Sequence, residues 1–296
     1  MPRWFLWTLL ALLCWGVWAI TSRLIGDALS AAASQALSTI GLLPVAVALG
    51  FSSRLSVTGI RRRGALFAFA AGALACAGNV AYYRALQVGD KVATVVALTG
   101  LYPLVTIVLA VILLRERLNR VQFIGIVLSL AALYLFNVQA EQGLLSRWLL
   151  LALVPVALWG TAGLLQKLAT NHISGELSTL WFLTAFVPVA AFILLRQPLP
   201  AQITARTWLL VTVMGFTFAL GNLGILAALA SHGKASVIVP LSGLYPLVSI
   251  PIAILALGEK VGPRESVGIA LALFAIVALT RETPPKSASA STAQPL

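Results

Sequence analysis

Charge is what this chain has least of. Asp, Glu, Lys and Arg make up 9% of its 296 residues, against about a quarter in soluble domains. Hydrophobic residues are 60% and the mean hydropathy is +0.99. A water-soluble domain of this size has too little interior to hide that much apolar surface, so the soluble classes are excluded. Cysteine is scarce as well. Cys14 and Cys76 lie in apolar runs without a CxxC partner, which rules out a disulfide framework and reads as two small buried residues. No Walker A, HExxH or GxSxG pattern with partners occurs, and no cluster of metal ligands. Neither catalytic residues nor a cofactor nor a metal is expected, and the chain is read as a non-enzyme. A fourth scarcity concerns mechanism. Asp27, Asp90, Glu116, Glu141, Glu176, Glu259 and Glu265 stand at the ends of apolar runs or in loops, as do His172 and His232. Proton-driven antiporters keep a carboxylate or His inside the membrane as a relay. Its lack favours exchange or facilitated diffusion, with coupling through an end-lying carboxylate left open.

What is abundant is apolar sequence in long runs. They fall at about 4–23, 30–50, 64–87, 91–114, 120–137, 148–168, 177–195, 207–231, 235–257 and 262–280. These lengths match a hydrocarbon core about 30 Å thick at ~1.5 Å per residue. The runs are continuous rather than alternating, which argues against a β-barrel. The first holds Trp15, Gly16 and Trp18 and is not followed by an A-x-A site, so it reads as a first span and not a cleaved signal. The tail beyond Arg281 is Pro, Ser, Thr and Ala and reads as disordered. The net charge of +12 is spread between the runs with no long basic tract, so nucleic acid is not an expected partner. With the N-terminus inside, twelve Lys and Arg fall on the cytoplasmic side against eight outside, Arg61-Arg62-Arg63 being the strongest signal. Both termini are therefore placed in the cytoplasm.

The chain repeats itself. Thr99-Gly100-Leu101-Tyr102-Pro103-Leu104-Val105 returns as Ser242-Gly243-Leu244-Tyr245-Pro246-Leu247-Val248, an offset of 143. The same offset relates Gly78-Asn79 to Gly221-Asn222, Lys91 to Lys234, Glu116 to Glu259 and Gly125 to Gly268. Trp15-Gly16 matches Trp159-Gly160 at 144. A period near half the chain means duplication. An odd number of spans per copy, about five, turns the second copy upside down, and inverted repeats place binding at the midplane between the halves. The expected fold is an all-α membrane protein, ten transmembrane helices as two inverted five-helix repeats. Residues 1–140 and 141–281 form the copies, and 282–296 form the tail.

The polar residues of these runs are the site candidates. Asn79, Asn222, Gly100, Gly243, Trp15 and Trp159 all fall near mid-span and can reach one cavity. A buried amide must be hydrogen-bonded, so Asn79 and Asn222 either meet a substrate or join helices. Tyr102 and Tyr245 offer a hydroxyl to a substrate or a gate, or serve as packing beside a kink. Gly100, Pro103, Gly243 and Pro246 predict a locally loosened helix with carbonyls left free. Trp15, Trp159, Trp18 and Trp181 could stack on a ligand or pack on lipid. Tyr82, Tyr83 and Gln166 are weaker candidates for the cavity wall. Lys91 and Lys234, at the starts of the Gly-Leu-Tyr-Pro helices, either snorkel to the surface or attract an anion. Glu116-Arg117 and Glu259-Lys260 read as local surface charge pairs.

Taken together, these motifs resemble the EamA-type members of the drug/metabolite transporter superfamily. Each copy has a Gly-Asn helix, a short turn ending in Lys, a Gly-Leu-Tyr-Pro helix and an acidic-basic pair before its last helix. The likeness runs from about residue 4 to 280. It implies a carrier of the inner membrane with a central cavity, moving amino acids, other small metabolites or drugs, often outward. The expected partners are the lipid bilayer and a small-molecule substrate, with a homodimer left open. Two other functions stay open: an exchanger of anionic or phosphorylated metabolites that uses Lys91 and Lys234, and a membrane enzyme or non-transporting scaffold.

Overall fold

A computed structural model describes residues 3–88, 91–114, 118–137, 147–231 and 235–280. All the regular elements there are helical: α1 (Arg3–Ile25), α2 (Ala31–Gly50), α3 (Arg61–Val88), α4 (Val92–Thr99), α5 (Pro103–Leu114), α6 (Arg120–Asn137), α7 (Arg147–Thr170), α8 (Gly175–Thr184), α9 (Phe186–Arg196), α10 (Ala205–Ala230), α11 (Ala235–Ser242), α12 (Pro246–Leu257) and α13 (Pro263–Leu279). A single isolated β-bridge joins Val57 and Ile173. The Lys234, Glu116-Arg117 and C-terminal-tail expectations lie outside the described residues.

Among the described residues, eight helical segments are long and apolar enough to cross a membrane. Three of them are composite, with α4 and α5, α8 and α9, and α11 and α12 each running on as one segment. Mean hydropathy in these windows runs from 1.6 to 2.5. Two of the ten expected spans fall short of that standard: α6 has an apolar stretch only over Arg120–Leu135, and α13 has 17 residues. Leu195 and Leu255 are 85% and 84% exposed, and Phe123 and Phe192 are 62% and 60% exposed. Water would penalise such a surface, whereas lipid accepts it. The chain is a multi-pass membrane protein.

Local sequence explains how the elements begin. Ser30 and Ser174, 144 residues apart, cap the second helix of each copy by accepting from Ala33 N and Leu177 N. Each such cap stabilises its helix by about 1 kcal/mol. The copies then interlock: α1 packs along α10, and α3 along α7, so the first helix of each copy lies against the third of the other. Reciprocal contacts of this kind are what a two-fold relation between the halves produces.

Candidate functional site

The centre of the molecule is the crossing of the two Gly-Leu-Tyr-Pro segments. Gly100 has ordinary helical angles (φ −59°, ψ −17°), so it is not there for backbone freedom. It is there for closeness: a Cβ at Gly100 would sit 2.8 Å from Pro246 Cγ, and one at Gly243 would sit 2.8 Å from Pro103 Cγ. The pair mirror each other across the interface.

The α-helix breaks where expected, between Thr99 and Pro103 and between Ser242 and Pro246, but its carbonyls are not left free. Pro103 and Pro246 remove an N–H each, but the neighbouring turns tighten to i→i+3 bonds. Leu101 N, Tyr102 N and Leu104 N donate to Leu98 O, Thr99 O and Leu101 O, and the second copy repeats the pattern. The carbonyls predicted to be free are satisfied by this 3₁₀ geometry and by the opposite half. Tyr102 Oη lies 2.8 Å from Ser242 Oγ and donates to Val239 O at 3.3 Å. Tyr245 Oη lies 2.8 Å from Thr99 Oγ1 and donates to Val96 O at 3.4 Å. Each tyrosine thus ties one half to the other. Their hydroxyls are engaged, and it is the rings that face the cavity beside them.

That cavity has a volume of about 50 Å³, room for one or two waters. Its wall is mostly aromatic: Trp15 and Trp18 from α1, Tyr102, Trp159 from α7, Phe182 from α8, Phe218 from α10, and Tyr245. Ala75, Ala162, Gln166 and Asn222 complete it. The rings pack on one another, Trp18 against Trp159 at 5.6 Å and Tyr102 edge-on to Trp159 at 6.3 Å. Of the residues singled out in the sequence, Trp15, Trp159, Tyr102, Tyr245 and Asn222 come together here, with Gln166 and Trp18. Tyr82 stands behind Trp18, stacked on it at 4.9 Å, and Asn79 stands behind Trp159, accepting from its Nε1 at 3.2 Å. Trp181 is not in the wall. Phe182 and Phe218 went unnoticed in the sequence. Phe218 carried a usable signal, since it lies four residues before Asn222 on the same helical face.

Both buried amides have partners. Asn222 Nδ2 donates to Phe218 O at 2.8 Å, and its Oδ1 accepts from Gln166 Nε2 at 3.2 Å. The two indoles also sit alike, each against a glycine of the opposite half: Trp159 Nε1 beside Gly78 and Trp15 Nε1 beside Gly221. Trp159 bonds Asn79, but the Trp15 N–H is buried without a partner.

Lys91 is far from this cavity. It donates to Glu265 Oε2 at the end of the molecule where α4 and α13 begin, so it is neither free to snorkel nor placed to meet a ligand in the wall. Glu259 is also not a local surface pair. Its carboxylate crosses between halves and accepts from Val92 N at 2.8 Å and Ala93 N at 3.0 Å, capping α4 at the positive end of its dipole. Arg23 donating to Leu86 O and Gln87 donating to Leu29 O close the same end further. The opposite end holds a vestibule of about 990 Å³ bordered by Arg3, Arg54, Ser174 and Glu176. It reaches Leu10 and Ala227, each five residues, or ~7.5 Å of helix, from Trp15 and Asn222 of the cavity.

Comparison with known proteins places these features. The EamA-like transporter family matches residues 2–138 and again residues 146–281. One solved structure, described only as a crystal structure of a protein, has a TM-score of 0.68 at 17% identity, covering 94% of this chain and 96% of the other. At that identity the likeness speaks for the fold alone. No curated protein matches the sequence.

Proposed function

The chain belongs to the EamA-like transporter family, and from that premise we propose that it is a secondary transporter of small polar or amphipathic metabolites, amino acids and related compounds among them. Ten spans in two inverted five-helix copies carry the substrate by alternating access around the central aromatic cavity. The observation that supports this reading is the asymmetry of the two ends. Among the described residues, Glu259, Lys91 and Glu265 tie the halves together at one end, while the other opens into the vestibule. A channel would need a continuous path, whereas a carrier needs one end shut while the other is open.

The excess of basic residues supports an orientation with the vestibule, and both termini, on the cytoplasmic side of an inner membrane. An opening toward the cytoplasm is consistent with loading there and supports export as the direction. Exchange of anionic metabolites is less favoured, since among the described residues no cationic side chain enters the cavity wall and Lys91 is paired. A membrane enzyme would need a convergent acid-base set, and the wall offers rings and amides.

Flux tests the reading. The purified chain in liposomes should release preloaded labelled amino acids and other small metabolites faster than empty liposomes do. Asn222→Leu and Trp159→Ala should cut that rate while leaving folded protein. Absence of flux across the panel would sink the transport reading, and wild-type rates in both variants would sink the cavity assignment. A C-terminal reporter should be active in the cytoplasm, and an external signal would reverse the orientation.

A further inference from the structure

The two halves are related but not identical at the cavity, Trp18 and Ala75 of one standing where Ala162 and Phe218 stand in the other, and one further difference changes the hydrogen bonding. Seven positions after Trp159 stands Gln166; seven after Trp15 stands Ser22. Ser22 turns back to its own helix and donates to Ala19 O. Gln166 reaches across to Asn222 and takes the carbonyl that, by the pattern of Trp159 and Asn79, would have accepted from Trp15. Trp15 Nε1 is left buried without an acceptor. Gln166 is itself 95% buried, its exposure being 5%, and it lines the cavity. One of its amide N–H groups is committed to Asn222. The other N–H and the carbonyl oxygen have no hydrogen-bonding partner among the described residues. As Gln166 lines the cavity, these groups are open to a ligand or water there.

The rest of the wall narrows what that ligand is. Seven rings present flat apolar faces, and no ionisable Asp, Glu, Lys, Arg or His stands among the lining residues. A carboxylate or a zwitterion brought here would lose its hydration with no counter-charge to replace it. An uncharged planar molecule loses little and gains stacking. We propose that the cavity selects uncharged planar ligands carrying an amide-like edge, a donor beside an acceptor, and that Gln166, held in place by Asn222, reads that edge. This rests on the transport reading and narrows its substrate range, setting amino acids behind uncharged planar metabolites. Because the cavity is too small for such a ring as it stands, binding must part the aromatic wall, which couples ligand to conformational change.

The test uses the full chain in detergent, with melting temperature followed against ligand concentration. The probes are nicotinamide, its carboxylate isostere nicotinate, and L-phenylalanine, a ring with zwitterionic charge. Nicotinamide should bind at least about 10-fold more tightly than either of the others, and Gln166→Leu should weaken nicotinamide about 10- to 100-fold with little change for nicotinate. Gln166→Ser, which copies the residue of the other half, provides a second variant and should behave alike. Nicotinate or L-phenylalanine binding as tightly as nicotinamide overturns the ligand class. Equal nicotinamide affinity in wild type and both Gln166 variants overturns the role of Gln166. No binding of nicotinamide to the wild type overturns the proposal as a whole, while metabolite flux in liposomes would still uphold the transport reading.

Discussion

Removing the Glu259 carboxylate should open the sealed end. Two backbone N–H groups at the start of α4 donate to this side chain at 2.8 and 3.0 Å. A hydrogen bond to a charged group contributes about 1.5–3 kcal/mol net, and a carboxylate at a helix N-terminus a few tenths more. Glu259 is only half-buried, so solvent replaces part of this, and about 2 kcal/mol is a fair magnitude for Glu259→Ala. That free energy belongs only to the state in which α4 docks on Glu259, so its loss shifts the closed-to-open ratio by about 30-fold. Lys91 and Glu265 add less, since Lys91 is 33% exposed and an exposed ion pair contributes about 0–1 kcal/mol. Thr94 is buried one turn inside α4 and is a natural reporter. With Cys14 and Cys76 replaced by Ala, a Thr94→Cys protein should react slowly with a membrane-impermeant maleimide added from the sealed side. Glu259→Ala should raise that rate about 30-fold, Glu259→Gln should fall between, and Lys91→Ala should change it only a few-fold. An unchanged rate in Glu259→Ala, or a larger effect from Lys91→Ala, would refute the reasoning.

Two other results are expected. Gly100→Val places side-chain atoms where Pro246 Cγ already lies 2.8 Å from the ideal Cβ, so it should cost about 1–3 kcal/mol and lower the melting temperature in detergent. Gly50→Val, with nothing within 4 Å, serves as the comparison and should change it little. Across the interface, Thr99→Val and Tyr245→Phe should show a coupling of about 1 kcal/mol in a double-mutant cycle of unfolding, and Ser242→Ala with Tyr102→Phe should repeat it. Additive effects in both cycles would mean the tyrosines do not tie the halves together.

Several features of the site were legible because they are local. An apolar run of about 20 residues declares itself by transfer free energy alone. Duplicated Trp-Gly, Gly-Asn and Gly-Leu-Tyr-Pro strings declare equivalent places in two copies. Asn79 and Asn222 could be expected to have partners because a bare amide in such a helix is too costly. Which partners they have was not legible. Asn79 bonds Trp159 and Asn222 bonds Gln166, pairs separated by 80 and 56 positions, and the equivalence of the two asparagines even suggested matching partners. Glu259 was misread for a related reason. Beside Lys260 in sequence, it resembles a surface ion pair, and its true partners lie 166 and 167 positions away. Gly100 and Pro103 suggested an opened helix, since the amide lost to proline can be seen in sequence. The tightened turns and the tyrosines of the other half that complete them cannot.

The sequence by itself determined the membrane class, the duplication and the inventory of polar residues at mid-span, because hydropathy and repetition are properties of the chain read along its length. Only the tertiary structure decided that the tyrosine hydroxyls are spent on joining the halves, that a carboxylate on a helix N-terminus ties them at one end, and that Gln166, where the other copy has Ser22, changes the partner of the second asparagine. Those outcomes depend on how two similar halves dock, and small differences between near-equivalent positions then choose among hydrogen bonds of nearly equal strength.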